Sequence, residues 1–172
     1  MEKVAINVAI KSKILKLPKK IIEHKNNDAL AECILYELSD ELCLSLKKIA
    51  YFVYNPDFHL CKGIAGVSRE DLPDFKENPW ENIQDFSKSI KNTDFNKKVL
   101  ETSFCTVSHD SISLIIKDLK NSLNNQNFSV HSWERTYKNI GILLYEPLSE
   151  NFESQEEIED AAGILSFCPI GY

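Results

Sequence analysis

Apolar residues recur at two spacings along this chain, and the alternation between the two sets out its elements. Leu30, Ile34, Leu38 and Leu42, with Ala31, Leu35 and Cys43 alongside, make a helical stripe from an N-cap at Asn27 or Asp28 to about Leu46. Lys48-Ile49-Ala50-Tyr51-Phe52-Val53-Tyr54 then predicts a strand, being rich in β-branched and aromatic residues. Asn55-Pro56-Asp57 turns the chain, because proline fixes φ and Asn and Asp favour turn starts. Residues 58–62 return as the second arm of a hairpin, which Gly63 and Gly66 are expected to end. The polar stretch from Ser68 to Asn82, holding Pro73 and Pro79, predicts a loop.

Helical spacing resumes at Ile83, Phe86 and Ile90, and again at Phe95, Val99 and Leu100. Phe104 to Ser108 reads as a strand, Ser111 to Leu123 as a helix, and Phe128 to Trp133 as an alternating strand. Arg135 to Asn139 links that strand to Ile140-Gly141-Ile142-Leu143-Leu144-Tyr145 as a hairpin. Ser154-Gln155-Glu156-Glu157 has the form of a capping box, with Ile158, Ala161, Ala162, Leu165 and Cys168 on one helical face behind it. Val4, Ile6, Val8 and Ile10 alternate with smaller residues and predict a short extra strand at a sheet edge or dimer contact. Hairpins with helices between them predict an α+β domain: a central antiparallel or mixed sheet flanked by helices. Residues 1–26 are read as an N-terminal extension and 27–172 as the domain.

Composition changes this picture little. A chain of 172 residues, 43% hydrophobic and 27% charged, is long enough for one domain with a sizeable core. A formal charge of −6 argues against a nucleic-acid binder, since such binding rests on neutralising phosphates. Lys11, Lys13, Lys16, Lys19 and Lys20 crowd the start and are read as a solvated basic face. Five cysteines, odd in number and without a C-x-x-C pair, suit free thiols in a reducing cytoplasm. The sequence shows no secretory signal and no apolar run of membrane-spanning length, so neither a membrane nor a nucleic acid is expected as partner.

The order of elements, with particular residues in them, resembles a GAF domain, a small-molecule sensory module related in shape to PAS. Residues 29–44 followed by Ile49 to Tyr54 resemble the opening helix and first strand of that family. Asn96 to Val107 resembles its helix running through a Thr-Gly turn into the third strand, with Ser103 in place of the glycine. Asn139-Ile140-Gly141-Ile142-Leu143 resembles the x-Ile-Gly-Val-Leu strand. Phe152, three residues, then Glu156-Glu157 matches the Phe-x3-Asp-Glu start of the last helix. Tyr145-Glu146 stand near the Asn-Lys of cyclic-nucleotide-binding members, and the Cys-His pair of bilin-binding members is missing, so neither ligand is implied.

The resemblance implies a stand-alone sensory or regulatory domain holding a small molecule between the sheet and the helices and loops of about residues 68–122. Phe104, Cys105, His109, Trp133 and Tyr145 are the residues expected to line that site, and no cofactor, metal or catalytic group is expected. Trp80, an aromatic in a polar loop, is expected as a lid or a contact surface. A homodimer through the first or last helix is the expected assembly.

Two alternatives stand beside this. One is a thiol-dependent reductase of free methionine sulfoxide, needing Cys61 and Cys105 to face one cavity. The other is an interaction module whose interior is filled by its own side chains. His59, Cys61, Cys105 and His109 are metal-ligating types, but H-x-C on a strand sends its two side chains to opposite faces.

Overall fold

A computed structural model describes residues 14–24, 27–75, 77–105, 111–149 and 155–169. Its elements run α1 (Leu17–Glu23), α2 (Leu30–Ser39), β1 (Leu46–Asn55), β2 (Leu60–Ser68), α3 (Ile83–Lys91), α4 (Asp94–Glu101) and β3 (Ser103–Cys105). There follow α5 (Ile112–Ser122), β4 (Ser129–Glu134), a 3-10 turn (Thr136–Lys138), β5 (Ile140–Pro147) and α6 (Gln155–Leu165). The five strands form one sheet in the order β3-β2-β1-β5-β4, and every pairing is antiparallel. The fold is α+β, a central antiparallel sheet flanked by helices. Segments 48–62 and 128–145 share this sheet, because β1 pairs with β5 from Leu46–Pro147 to Tyr54–Ile140.

Period-two alternation in the central strands sorts the core into two layers. Ile49, Tyr51, Val53, Leu143 and Tyr145 face α1, α2, α3 and α6. Ala50, Phe52, Tyr54, Ile142 and Leu144 face the other way, where Val99 of α4 and Ile115 and Leu119 of α5 meet them. Both faces are covered, which is why β1 and β5 read as nearly continuous apolar runs. The first side is the α2 face and the second the α5 face.

Local chemistry sets several boundaries away from those the spacing predicts. Helix α2 stops at Ser39, seven residues before the predicted end, where Asp40 Oδ1 accepts from Leu42 N at 2.9 Å and Asp40 O accepts from Cys43 N. An aspartate that bonds its own following backbone offers the chain a turn in place of a helix. Ser45 then takes a positive φ of 51° and turns the chain into β1. Gly63 and Gly66 lie inside β2 instead of ending it. A Cβ at Gly63 would run into the carbonyl of Val99, and one at Gly66 would crowd the side chains of Val99 and Phe95. The two glycines let α4 lie directly on the strand.

Asn96 fixes that contact: its Oδ1 accepts from Gly66 N at 2.6 Å. The predicted edge strand over Val4 to Ile10, the end of the Phe104 strand and the Ser154 capping box lie outside the described residues.

Candidate functional site

The sheet does not gather the five predicted site residues on one side. Phe104 pairs with Cys61 and packs against the core of the α5 face. Cys105, the next residue, pairs with Leu60, so its exposed side chain points away from Phe104. Trp133 and Tyr145 belong to the α2 face, where Tyr145 is buried and its phenol is pushed up by that burial, though a bond with Ser129 opposes the shift. His109 lies outside the described residues. Cys61 and Cys105 therefore stand on opposite faces, contrary to the shared cavity a thiol reductase would need. The reason is the register, in which neighbours on β3 alternate and Cys61 is opposite Phe104.

Trp133 instead joins the sheet to the last helix. Its indole lies over Gly141, directly across the β4–β5 ladder. It stacks on Tyr51 at 5.7 Å and on His131 at 5.9 Å between ring centres, and its Nε1 donates to Ser166 Oγ at 2.7 Å. Beside it Arg135 is buried, with Nη1 donating to Leu165 O at 2.7 Å and to the hydroxyl of Tyr51. Nη2 donates to Ser166 O at 3.0 Å and to Cys168 O at 3.1 Å. A guanidinium fork closing over the last carbonyls of α6 satisfies orphan acceptors and meets the negative end of the helix dipole.

By spacing alone Arg135 falls in the hairpin linker. Its signal was there all the same: a lone arginine between Trp133 and Tyr137 at a hairpin end is a long donor with aromatic company.

A second charged side chain is buried in α2. Glu32 of α2 is 1% exposed, and its carboxylate meets Lys91 of α3 at 3.5 Å while Oε2 has no hydrogen-bond partner. Burial pushes its pKa up, opposed by its own backbone and by Lys91 and Ser87. A lone charge inside the otherwise apolar run 29–35 is the clue the sequence offers. Burial likewise pushes the thiols of Cys33, Cys61 and Cys168 up to about 12, so all three are protonated at neutral pH. Such thiols are packing groups.

Trp80 is neither exposed nor draped over the α5 face. It is buried beside α1 and α2, and its Nε1 donates to Glu37 Oε1 at 2.8 Å. Lys20 Nζ reaches the same oxygen at 2.9 Å and stands 4.9 Å from the ring centre. The loop 68–82 is thereby pinned to the α2 face.

The two faces differ in how firmly they are covered. Helix α2 buries eight of its ten residues, α5 only Ile115 and Leu119 of eleven. Ile112 and Ile116 are partly buried, and Ser111 makes no side-chain cap to the helix. Beneath α5 lies an apolar floor of Phe52, Cys61, Ile142 and Leu144, edged by Phe104 and Val130. Among the described residues no three His, Cys, Asp or Glu side chains converge as a metal site, and no helix is long and apolar enough to cross a membrane. No family description, characterised protein or solved structure matches this chain.

Proposed function

We propose that this chain is a sensory or regulatory domain of the GAF type, acting in the cytoplasm as a homodimer and binding a small apolar molecule on the α5 face. The observation that carries the reading is the unequal attachment of the two helical layers. A face covered by a helix with two buried anchors opens at far lower cost than one covered by a helix with eight. The floor beneath α5 is apolar, so its guest would be hydrophobic, held by contact area and by few polar groups. Of the predicted site residues, Phe104 keeps its place in this reading, at the rim of the floor. Binding would shift the population of α5 between closed and lifted positions, and a partner would read that shift.

Native mass spectrometry of freshly purified protein, with hydrogen exchange followed over residues 111–123, tests the reading. A copurified small molecule whose removal speeds exchange in α5 supports it. No bound mass, with α5 amides exchanging as slowly as those of α2, overturns it. The ligand-free interaction module would then remain, a reading favoured by the way Phe52, Cys61, Ile142 and Leu144 already fill the face.

A further inference from the structure

Helix α1 and the turn before it carry two apolar stripes, and the fold covers only one of them. Ile14, Leu17 and Ile21 are buried in the core of the α2 face. Leu15, Pro18 and Ile22 repeat the same spacing of three and four residues but stand in solvent, Leu15 at 76% exposure and Ile22 at 69%. Phe167, 73% exposed in the turn after α6, lies beside them. With Pro18, Ile21 and Ile22 it lines an apolar cleft of about 250 Å³. Single exposed apolar groups need no explanation, whereas a gathered set marks a contact surface.

Charge identifies what this set meets. Residues 1–25 hold seven lysines against two glutamates, a surplus of five positive charges. The remaining residues hold thirteen Lys and Arg against twenty-four Asp and Glu, so a basic stretch is set on an acidic body. Lys16 and Lys19 are exposed alongside the outer stripe. Lys19 Nζ stands 4.0 Å from Glu23, but both side chains are largely in water, where such a pair is weak and readily exchanged for another anion. Lys20 is already held, by Glu37 at 2.9 Å.

We infer that this surface rests on an anionic lipid bilayer. Leu15, Ile22 and Phe167 enter the boundary between headgroups and acyl chains, while Lys16 and Lys19 stay level with the charged headgroups. A nucleic acid would match the lysines and leave the three apolar side chains in water. Crossing a bilayer takes about twenty apolar residues, and no helix among the described residues is long and apolar enough for that. Resting on one needs only such a stripe. Because α1 is already folded against the core, attachment carries no cost of forming a helix. The guest of the α5 face lies across the sheet, so the two readings stand or fall separately.

Cosedimentation of the full chain with vesicles supplies the test, comparing phosphatidylcholine alone with phosphatidylcholine holding about one third phosphatidylserine. Wild type is expected to bind the mixed vesicles, to bind neutral ones at least about tenfold more weakly, and to be released by salt. Two double variants separate the contributions: Leu15→Gln with Ile22→Gln, and Lys16→Gln with Lys19→Gln. All four positions are exposed, so both variants are expected to keep the wild-type circular dichroism. Each is expected to lose at least about tenfold in affinity for the mixed vesicles. Wild type that fails to bind mixed vesicles overturns the inference, and so does either variant binding as wild type does. Binding to a duplex oligonucleotide that survives Leu15→Gln with Ile22→Gln, with none to vesicles, overturns it in favour of nucleic acid.

Discussion

The indole of Trp133 lies on Gly141, its direct cross-strand neighbour, so closely that a side chain there would collide with the ring. Gly141 is thus a packing requirement of the α2 face. Stacked between Tyr51 and His131, the ring cannot move aside without leaving both. Gly141→Ala is expected to destabilise the fold by about 2 kcal/mol, as overpacking of a filled site does. Urea denaturation measures the loss, and a shift in tryptophan emission reports the displaced ring. An unchanged midpoint and spectrum would refute it.

Arg135 makes a sharper case, because its four hydrogen bonds go to three carbonyls and a phenol. Arg135→Lys keeps the charge and loses the fork, and is expected to cost roughly 2–3 kcal/mol. Exchange should quicken first in the amides of α6. Thermal unfolding and hydrogen exchange check this, and a variant as stable as wild type would show the clamp to be incidental.

Glu32 gives stability a pH dependence of definite sign. Its folded pKa is raised above the ordinary 4.5 by burial, so between the two values the folded state holds more protons than the unfolded one. The contribution is fully present below pH 4.5 and is lost as pH rises through the folded pKa. Glu32→Gln removes the titration. Wild type is therefore expected to lose stability relative to the variant as pH climbs from about 4.5. Parallel slopes in denaturation series from pH 4 to 8 would contradict this.

Thiol accessibility separates the cysteines cleanly. Cys33, Cys43, Cys61 and Cys168 are buried and Cys105 is exposed. A thiol reagent added to native protein is expected to modify one group quickly and the other four only on unfolding. Peptide mapping should place the fast group at Cys105, and rapid labelling of Cys61 would mean that the α5 face stands open.

Much of this architecture was legible from spacing alone. The β1–β2 and β4–β5 hairpins, the four helices over 83–90, 95–100, 111–123 and 158–165, and the single shared sheet all follow from periodicity and turn chemistry. Sidedness was not legible. Alternation separates Phe104 from Cys105, but which of them shares a face with Trp133 depends on the order of strands across the sheet. Nothing local to either segment carries that order.

Glycine roles were hidden for a similar reason. Gly63 and Gly66 look like strand terminators until α4 is seen resting on them, a contact between segments far apart in the sequence. Arg135 and Glu32 escaped because hydrophobic patterning ranks charged positions as solvent-facing, and each is held inside by partners distant in sequence.

The absence of side chains at Gly63 and Gly66 has a mechanical consequence. With α4 seated against the backbone of β2 and tied to it through Asn96, strand and helix travel as one plate. Any door into that side of the molecule must swing at the opposite jamb, on α5, and stiffening the plate would leave its latch untouched.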